Sequence, residues 1–526
     1  MPDIVTKLNI SKMRQLHPFK INYSKVKNLQ MVEGKKLLNA AEVGKLSVIG
    51  GKIELQRFAT EEVSRPAFPT NLRYLQTYSA VQFPKGKVLV LVNWDLYESV
   101  KTSINQYVMD LAYEGWYATV VKMKFGKPTD VRNFIKSKDI SGVFMVGNIT
   151  AAWYEIADDE FPCDLYYMDT NGVWGDPDGD GKFSTFTGNI TPEIWVGRLW
   201  TPTLNGNDAA LINDYFARNH KFRKGQFGCS NKALAYVDDD WTQFGDCAFD
   251  LMFPPSRVET ITDPLTTDGD RYRAEINQHR AWAQVCSHSN PDVHTFKVGT
   301  TTEVVNASYL RDVNPPNAYF YNLFACSTAR FTQPEYMGGW YIFDKAGNST
   351  CNGLAAVGST KSGSMLAFEN FYKPMSSGKV IGEALLEWWK SLGTTHDDGE
   401  RYWFYGLTLL GDPTLNWWSG VVPNLRDPFN NDVFDHYPRR MNFLWDTVSL
   451  PGSTVTYTIE IDAFHAIKSG QWAAESGKTY FISGNLSSNS YEHMFVGAQE
   501  GRWRVRARVD GINGPWSDWR YFRFTI

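Results

Sequence analysis

From about residue 85, apolar residues are grouped into runs of two kinds that alternate along the chain. The segment KVLVLVN, which starts at Lys87, is a continuous apolar run of the type found in a strand buried on both faces. The apolar residues that follow recur at steps of three and four, as on one face of a helix. They are Val100, Ile104, Tyr107, Val108 and Leu111. Gly115 then stands where helices commonly end, so this pattern predicts a strand followed by a helix.

The same alternation continues to about residue 418. YATVVKM and SGVFMVG are predicted strands, and Pro128 opens a predicted helix between them, where its missing N–H costs least. Further predicted strands are ALAYVDD, VETITD, WAQVCSHS, YFYNLFAC and GLAAVGST, with helices around DGDRYRAEIN and KVIGEALLEWWKSL. Alternation of this kind predicts an α/β fold with a mostly parallel sheet and helices on both faces. The segment YGLTLLGDPTLNWW marks its end.

After Val422 the apolar period changes to two. TVTYTIEID and GRWRVRARVD alternate apolar and polar residues, as half-solvated antiparallel strands do. In the second segment Trp503, Val505, Ala507 and Val509 face one way, and Arg502, Arg504, Arg506 and Arg508 face the other. This pattern therefore predicts that residues 421–526 form an all-β sandwich. The sequence GPWSDWRYFRF resembles the Trp-Ser-x-Trp end of a fibronectin type III-like, or immunoglobulin-like, module.

Length and composition set the domain organisation. At 526 residues the chain is too long for one core, and we expect three segments, 1–84, 85–420 and 421–526. The first contains two predicted short strands around Gly50 and Gly51, and is either a β-rich lead-in or a pro-segment. With 43% hydrophobic and 21% charged residues the chain is not of the disordered class. A net charge of −4 without a basic stripe excludes a nucleic-acid-binding class.

The apolar runs, the first residues and the cysteines leave the cellular location of the protein open. The sequence has no run of 18 apolar residues, so we expect no membrane span. The first 20 residues lack the apolar core of a signal peptide. Six cysteines in a chain of this length do not make a disulfide framework, although Cys229 and Cys247 could pair.

Two predicted strands end in residues suited to nucleophilic catalysis. WAQVCSHSNP places His288 at one strand tip, and YFYNLFACSTARF places Cys326 at another. In an open α/β sheet, sites form beyond the carboxyl ends of the strands. A thiol and an imidazole at neighbouring tips can face one crevice, where the thiolate attacks and the imidazole protonates the leaving group.

The stretch from about 85 to 418 resembles the gingipain family of cysteine peptidases, in the caspase–gingipain clan. The resemblance lies in the two catalytic strands and in FPCDLYYMD, EIWVGRL and LLGDPTL. It implies a caspase-like α/β/α sandwich, often followed by an immunoglobulin-like domain, and no organic cofactor. It further implies that Cys326 is the nucleophile and His288 its acid–base partner.

Other roles carried over from the resemblance concern the oxyanion and the substrate. The backbone N–H groups of Cys326 and Ser289 match the family's oxyanion hole, although the family usually has Gly where Ser289 stands. Asp164 resembles the acidic residue with which some members bind a basic substrate side chain. The alternative is that Asp164 only fixes its own loop and that the pocket is built from Ser359 to Met365. The rival hypothesis for the base is His294, which lies six residues beyond His288 and is expected in a loop. Glu155 is a candidate for the group that orients His288.

A separate motif indicates a cation site. Asp176, Asp178 and Asp180, followed by Gly181, form D-x-D-x-D-G, in which alternate carboxylates can wrap a hard cation. We expect structural Ca²⁺ there, with help from a backbone carbonyl near Lys182. Millimolar calcium outside cells suits such a site, and this favours a secreted or extracellular protein. The alternative is a solvated acidic turn.

Two function classes follow. The first is a cysteine endopeptidase that acts on protein or peptide substrates, with cleavage after Arg or Lys as its predicted specificity. The second is a catalytically inactive relative that serves as a surface or extracellular binding or adhesion module. A third, a calcium-dependent glycan-binding enzyme, rests only on aromatic richness. The sequence does not predict an oligomeric state.

Overall fold

The chain divides into two compact units, Met1–His220 with Asn231–Leu415, and Lys221–Ser230 with Asn416–Ile526. The computed structural model describes residues 31–32, 35–36, 47–49, 52–54, 58–63, 85–124, 126–224, 230–345, 351, 353–417, 421–448, 454–465, 471–473, 480–495, 500–509, 512–517 and 519–525. Among these residues, no helix combines the length and apolar character needed to cross a bilayer.

Before residue 85 the described elements are short strands. They are β1 (Met31–Val32), β2 (Lys35–Lys36), β3 (Ser47–Ile49), β4 (Lys52–Glu54) and β5 (Thr60–Glu62). β3 and β4 pair as an antiparallel hairpin with Ser47 opposite Glu54, as predicted from the sequence around Gly50 and Gly51. The choice between a lead-in and a pro-segment for residues 1–84 stays open, because most of this segment lies outside the described residues.

The strands of the α/β region confirm the alternation of apolar runs. They are β6 (Gly86–Asn93), β7 (Trp116–Met123), β8 (Gly142–Val146), β9 (Trp153–Ile156), β10 (Asp159–Pro162), β11 (Val173–Gly175), β12 (Thr185–Thr187), β13 (Trp195–Leu199), β14 (Ala233–Val237), β15 (Val258–Ile261), β16 (Arg280–Cys286), β17 (His288–Asn290), β18 (Val293–Val298), β19 (Thr301–Asn306), β20 (Ala318–Phe324), β21 (Ala355–Ser359) and β22 (Leu407–Gly411).

Helices lie between these strands, as the periodicity predicts. They are α1 (Trp94–Tyr113), α2 (Pro128–Lys136), α3 (Leu165–Met168), α4 (Asp208–Arg223), α5 (Gly269–Ile276), α6 (Ala307–Asp312), α7 (Met337–Trp340), α8 (Glu369–Ser376), α9 (Ile381–Ser391) and α10 (Asp398–Phe404). In α1 the side chain of Asn93 caps the first turn by accepting from the Leu96 N–H, and Gly115 follows with a φ of 90°. The predicted apolar stripe of α1 is buried, and the helix packs on β6 and β7.

One large sheet dominates the α/β unit, and it contains two sets of parallel strands that run in opposite directions. Among the described residues it has eleven strands in the order β15-β14-β16-β20-β21-β22-β13-β8-β6-β7-β5. Neighbours pair in parallel except β21 with β22 and β5 with β7, which are antiparallel. The mostly parallel sheet predicted from the sequence is therefore confirmed. The strands from β15 to β21 nevertheless run opposite to those from β22 to β7, so their carboxyl ends lie at opposite edges.

The α/β unit also contains smaller antiparallel sheets that are separate from the large one. β9 pairs with β10, β11 pairs with β12, and β17, β18 and β19 form a three-stranded sheet directly after β16. Three short 3₁₀ helices lie between β14 and β15, at Asp239–Phe244, Phe249–Leu251 and Pro255–Arg257. The expectation that His294 lies in a loop is wrong, because the alternating segment around it forms β18. These additions shape the edge at which β16 and β20 end.

The second unit is a β-sandwich, as predicted. Its strands are β23 (Leu425–Asp427), β24 (Asp432–Phe434), β25 (Arg440–Trp445), β26 (Val455–His465), β27 (Gln471–Ala473), β28 (Tyr480–Leu486), β29 (Ser490–Met494), β30 (Glu500–Val509), β31 (Ile512–Trp516) and β32 (Arg520–Phe524). β23, β25 and β29 form one sheet, and the other strands form a second. Side chains from both sheets share one core, in which the rings of Phe443 and Trp503 lie 5.0 Å apart.

The arginine face of β30 is packed against neighbouring groups. Arg502 and Arg504 form ion pairs with Asp462 and Glu460 of β26. Both guanidinium groups also lie over the Trp519 ring, at 4.1 and 4.3 Å from its centroid. The strict alternation of β30 therefore separates an apolar core face from a face on which arginines stack on aromatic rings.

Candidate active site

His288 and Cys326 lie at the same edge of the sheet, at the ends of adjacent parallel strands. β16 and β20 pair in parallel, and their last registered pair is Cys286 with Phe324. His288 follows Cys286 by two residues, and Cys326 follows Phe324 by two residues. Because parallel strands in register end together, the two predicted catalytic residues are carried to one place.

The backbone around Cys326 is held by the segment that follows β21. Ser327 has a φ of 61°, a left-handed conformation that is uncommon for a residue other than glycine. Its N–H donates to the carbonyl of Lys361 at 2.8 Å. Burial raises the pKa of the Cys326 thiol to about 11, while the Gly363 N–H and the Lys361 ammonium act in the opposite direction. The thiol is therefore protonated at neutral pH before substrate binds.

The raised pKa alone does not distinguish Cys326 from the other cysteines. Burial raises the pKa of Cys351 to about 11 as well, and Cys163 is equally enclosed. Neither of these residues lies at the tip of a strand next to a histidine. Cys247 and Cys286 have their sulfur atoms 3.9 Å apart in the core. Cys229 lies outside the described residues, so whether it pairs with Cys247 stays open. Position in the fold singles out Cys326.

His288 is oriented by a carboxylate that the sequence analysis did not identify. Its Nε2 lies 2.6 Å from Oδ2 of Asp240, and the same carboxylate is paired with Lys297. Burial by itself would raise the pKa of Asp240, but hydrogen bonds from His288 and Lys297 outweigh it and hold the pKa below its usual value. Asp240 therefore stays ionised and fixes one ring nitrogen of His288.

The sequence contained a signal for Asp240. Three aspartates, Asp238 to Asp240, follow directly after β14, which lies next to β16 in the sheet. Carboxylates at that strand tip can reach a histidine at the neighbouring tip. The alternative in which Glu155 orients His288 finds no contact in its favour, since Glu155 lies on β9 beside Asp178 and Asp180.

His294 and Ser289 form a polar contact between β18 and β17, the short strand that begins at His288. Burial lowers the pKa of His294 to about 3, so its ring is neutral. Its Nε2 lies 2.8 Å from the Tyr341 hydroxyl, and its Nδ1 lies 2.6 Å from the Ser289 hydroxyl. Both ring nitrogens are engaged, which argues against His294 as the base. The Ser289 hydroxyl also donates to the His288 carbonyl, and the oxyanion role of its backbone N–H stays a prediction.

Asp164 is engaged in a buried ion pair, which argues against its predicted substrate-binding role. Its two carboxylate oxygens accept from Arg198, at 2.5 Å from Nη2 and 3.1 Å from Nε. The Thr408 hydroxyl donates to the same carboxylate at 2.6 Å. Asp164 and Arg198 are both buried. A carboxylate already neutralised by a guanidinium offers no free charge to a substrate cation, so Asp164 serves to join β13 and β22 to its own loop.

The predicted cation loop is a cluster of carboxylates with a different membership. Asp178 and Asp180 approach Glu155 of β9, with one carboxylate oxygen of each within 4.8 Å of the others. Asp176 instead accepts from the Gly179 and Gly181 N–H groups, both at 2.9 Å, and so shapes the turn. Burial, followed by the proximity of Asp180, raises the pKa of Glu155. A divalent cation would relieve that repulsion, and three carboxylates suit the oxygen preference of Ca²⁺.

Lys182 is the fourth predicted member of this loop. Its ammonium contacts the carboxylates of Asp180 and Glu160, each at 2.6 Å. Burial alone would lower the pKa of Lys182, but these two hydrogen bonds raise it. The Lys182 N–H donates to Asp180, and the contribution of a backbone carbonyl near Lys182 to cation binding stays a prediction.

Comparison with known proteins identifies the family to which the α/β unit is similar. The sequence model described as peptidase family C25 matches residues 87–418. The structure is similar to that of the Arg-specific cysteine proteinase gingipain R, with 12% identity, a TM-score of 0.47, and coverage of 85% of this chain and 100% of that one. It is also similar to the complex of the pro- and mature domains of RgpB from Porphyromonas gingivalis, with 11% identity, a TM-score of 0.49, and coverage of 84% and 100%. These similarities concern the fold.

The C-terminal unit has a weaker likeness. A fibronectin type III-like protein from Clostridium thermocellum matches 18% of this chain and 88% of its own length, at 17% identity and a TM-score of 0.13. No curated protein sequence matches the chain.

Proposed function

Because the chain belongs to peptidase family C25, we propose that it is a cysteine endopeptidase in which Cys326 attacks the substrate carbonyl and His288 transfers protons. The observation that supports this most directly is the register of β16 and β20, which ends both strands together and puts His288 beside the Cys326 tip. The ion-paired Asp240 that holds His288 adds to it. A nucleophile, a base and a group that orients the base are the three parts that such catalysis requires.

The reaction begins with a protonated thiol. As Cys326 attacks the carbonyl carbon, the S–C bond forms and the thiol proton passes to His288. The resulting oxyanion is held by the N–H groups of Cys326 and Ser289. His288 then gives the proton to the leaving amine as the C–N bond breaks, and water hydrolyses the thioester to regenerate the thiol. Asp240 stabilises the imidazolium form of His288 throughout.

A preference for Arg or Lys is the finer part of the proposal, and the contacts of Asp164 argue against this residue as its basis. That carboxylate is buried and paired with Arg198. The alternative pocket segment, Ser359 to Met365, does approach Cys326, because the Lys361 carbonyl accepts from Ser327. The preferred residue before the scissile bond is therefore to be determined by identifying the cleavage products. Substrates are proteins or peptides, and we propose that the enzyme acts outside the cell.

The competing proposal is an inactive binding protein, and one experiment separates the two. Incubation with a peptide that carries a thiol-reactive electrophile should modify Cys326, and digestion of a proteome-derived peptide mixture should yield new chain ends. Mass spectrometry identifies both the modified cysteine and the residue that precedes each cleaved bond. Absence of both modification and cleavage would favour the binding module, in which the β-sandwich carries the function.

We also propose that Glu155, Asp178 and Asp180 bind structural Ca²⁺. A ligand that binds only the folded state stabilises it by about 2.7 kcal/mol at 100 times its Kd, and we expect a chelator to lower the melting temperature by about 5 °C. Glu155→Gln should remove this response to the chelator. Glu98→Gln, on the exposed face of α1, is the matched control and should retain it. An equal melting temperature with saturating chelator and with added Ca²⁺ would contradict the proposal and favour the alternative, a solvated acidic turn.

A further inference from the structure

The segment after β21 lies directly against the loop that carries Cys326. The Ala329 N–H donates to the Ser359 carbonyl at 3.0 Å, and the Ser327 N–H donates to the Lys361 carbonyl at 2.8 Å. Two residues further on, the Gly363 N–H reaches the Cys326 sulfur. The backbone from 359 to 363 therefore fixes the position of the nucleophile, and the Lys361 ammonium acts on the Cys326 thiol electrostatically.

Lys361 is a fully buried cation held by three kinds of contact. Its side chain has no exposed surface, and its Nζ donates to the Tyr402 carbonyl at 2.7 Å. The same ammonium lies 3.4 Å from the centroid of the Tyr402 ring and 3.5 Å from a carboxylate oxygen of Asp159. Removing an ammonium from water is costly, so a buried lysine of this kind points to a role beyond packing.

The carboxylate beside Lys361 is shared with a second buried cation. Arg330, four residues after Cys326, has Nη1 3.8 Å from Asp159, and Lys361 lies at 3.5 Å from it. One carboxylate divided between two cations neutralises each of them incompletely. Arg330, Lys361 and Asp159 together carry one net positive charge, and their burial strengthens the field of this charge.

We propose that Lys361 is a positioning residue for the reaction, which stabilises the negative charge that forms on Cys326, and that Asp159 sets the strength of this effect. The inference rests on the proposed function, because it takes Cys326 as the nucleophile. Lys361 lowers the pKa of Cys326 against the larger effect of burial. Burial lowers the pKa of Lys361 to about 8, while Asp159 and Cys326 act in the opposite direction. Asp159 acts in the opposite sense on the thiol.

The test uses a reaction that needs no peptide binding. Iodoacetamide alkylates Cys326 when the thiolate displaces iodide and forms an S–C bond, so its rate follows the thiolate fraction. Lys361→Met should slow alkylation at pH 7. Asp159→Asn also removes the carboxylate that raises the pKa of Lys361, so its acceleration is expected at the acid end of the range, at about pH 6, where Lys361 keeps its proton. We expect each rate to change by about threefold to tenfold, since one pKa unit changes the thiolate fraction tenfold and a more basic thiolate reacts somewhat faster. Mass spectrometry of the peptide that contains Cys326 measures the rate from about pH 6 to about pH 10, a range that includes the ordinary pKa of a thiol.

Two controls separate charge from structure. Lys361→Arg keeps the charge and should alkylate within about twofold of the wild type, well below the tenfold effect of one pKa unit. Asp158→Asn makes the same charge change at the exposed turn position directly before β10 and should leave the rate unchanged. Opposite changes in Lys361→Met and Asp159→Asn support the proposal, and equal slowing in both, or no change in either, overturns it. If Lys361→Met does not fold, acceleration in Asp159→Asn decides the question.

The outcome is independent of peptidase activity. A wild-type protein that hydrolyses no peptide, but whose alkylation responds to the two substitutions in opposite directions, refutes the proposed function and supports the electrostatic role. A protein that hydrolyses peptides while alkylation is insensitive to both substitutions supports the function and refutes the role of Lys361.

Discussion

A Cys326→Ala variant is expected to hydrolyse peptides about 10⁴-fold or more slowly than the wild type, because removal of the nucleophile from such a site leaves only binding and oxyanion stabilisation. The substitution deletes one sulfur atom from a side chain that is already small and 7% exposed. We therefore expect little change in the melting temperature. Measurement of kcat/KM and of thermal unfolding on the same preparation tests both parts.

The matched control for this variant is Cys351→Ala. Cys351 is buried, and burial raises the pKa of its thiol to about 11, as it does for Cys326. Its sulfur lies 3.7 Å from the Tyr341 carbonyl and at no strand tip that carries a histidine. Cys351→Ala should therefore keep its activity per folded molecule. Wild-type activity in Cys326→Ala would remove the assignment of the nucleophile.

Loss of His288 is expected to have the second largest effect. General acid–base catalysis contributes about 10²–10⁴-fold, and His288→Ala should reduce kcat/KM by a factor in that range. The thiol depends on this base, because a pKa of about 11 leaves little thiolate at neutral pH. Asp240→Asn should also reduce kcat/KM, since it removes the charge that stabilises the imidazolium form, while Asp239→Asn next to it should not.

His294→Ala is the comparison that isolates the chemistry. His294 is buried and hydrogen-bonded through both ring nitrogens, so its removal should lower the free energy of unfolding. Its kcat/KM per folded molecule should stay close to that of the wild type. A greater loss of activity per folded molecule in His294→Ala than in His288→Ala would reverse the assignment of the base.

The architecture of the α/β unit was accessible from the sequence because its signals are local and strong. Buried parallel strands require unbroken apolar runs, and the flanking helices require a period near 3.6, so KVLVLVN and the stripe from Val100 to Leu111 identified β6 and α1. The strict alternation around Trp503 identified β30 for a similar reason. The two strand tips at His288 and Cys326 followed from the same pattern.

The features of the site that the sequence did not predict depend on contacts between residues far apart in the chain. Asp164 and Arg198 are 34 residues apart, and a carboxylate in a sequence does not reveal whether a buried guanidinium lies beside it. Asp240 and His288 are 48 residues apart, and their contact needed the neighbouring order of β14 and β16, which sequence periodicity does not give. His294 was misplaced because β18 is short and half-exposed, so its apolar signal is weak.

The position of β22 has a consequence for the order in which the protein is made. Among the described residues, β22 is the strand that joins the large sheet between β21 and β13, and it is the last strand of that sheet to be synthesised. Until Leu407–Gly411 has been translated, the strands that carry His288 and Cys326 cannot be continuous with those from β13 to β7. From the synthesis of β20 until that of β22 the growing chain therefore holds two separate part-sheets with exposed edges, and the sheet is completed only when its final strand fills the gap.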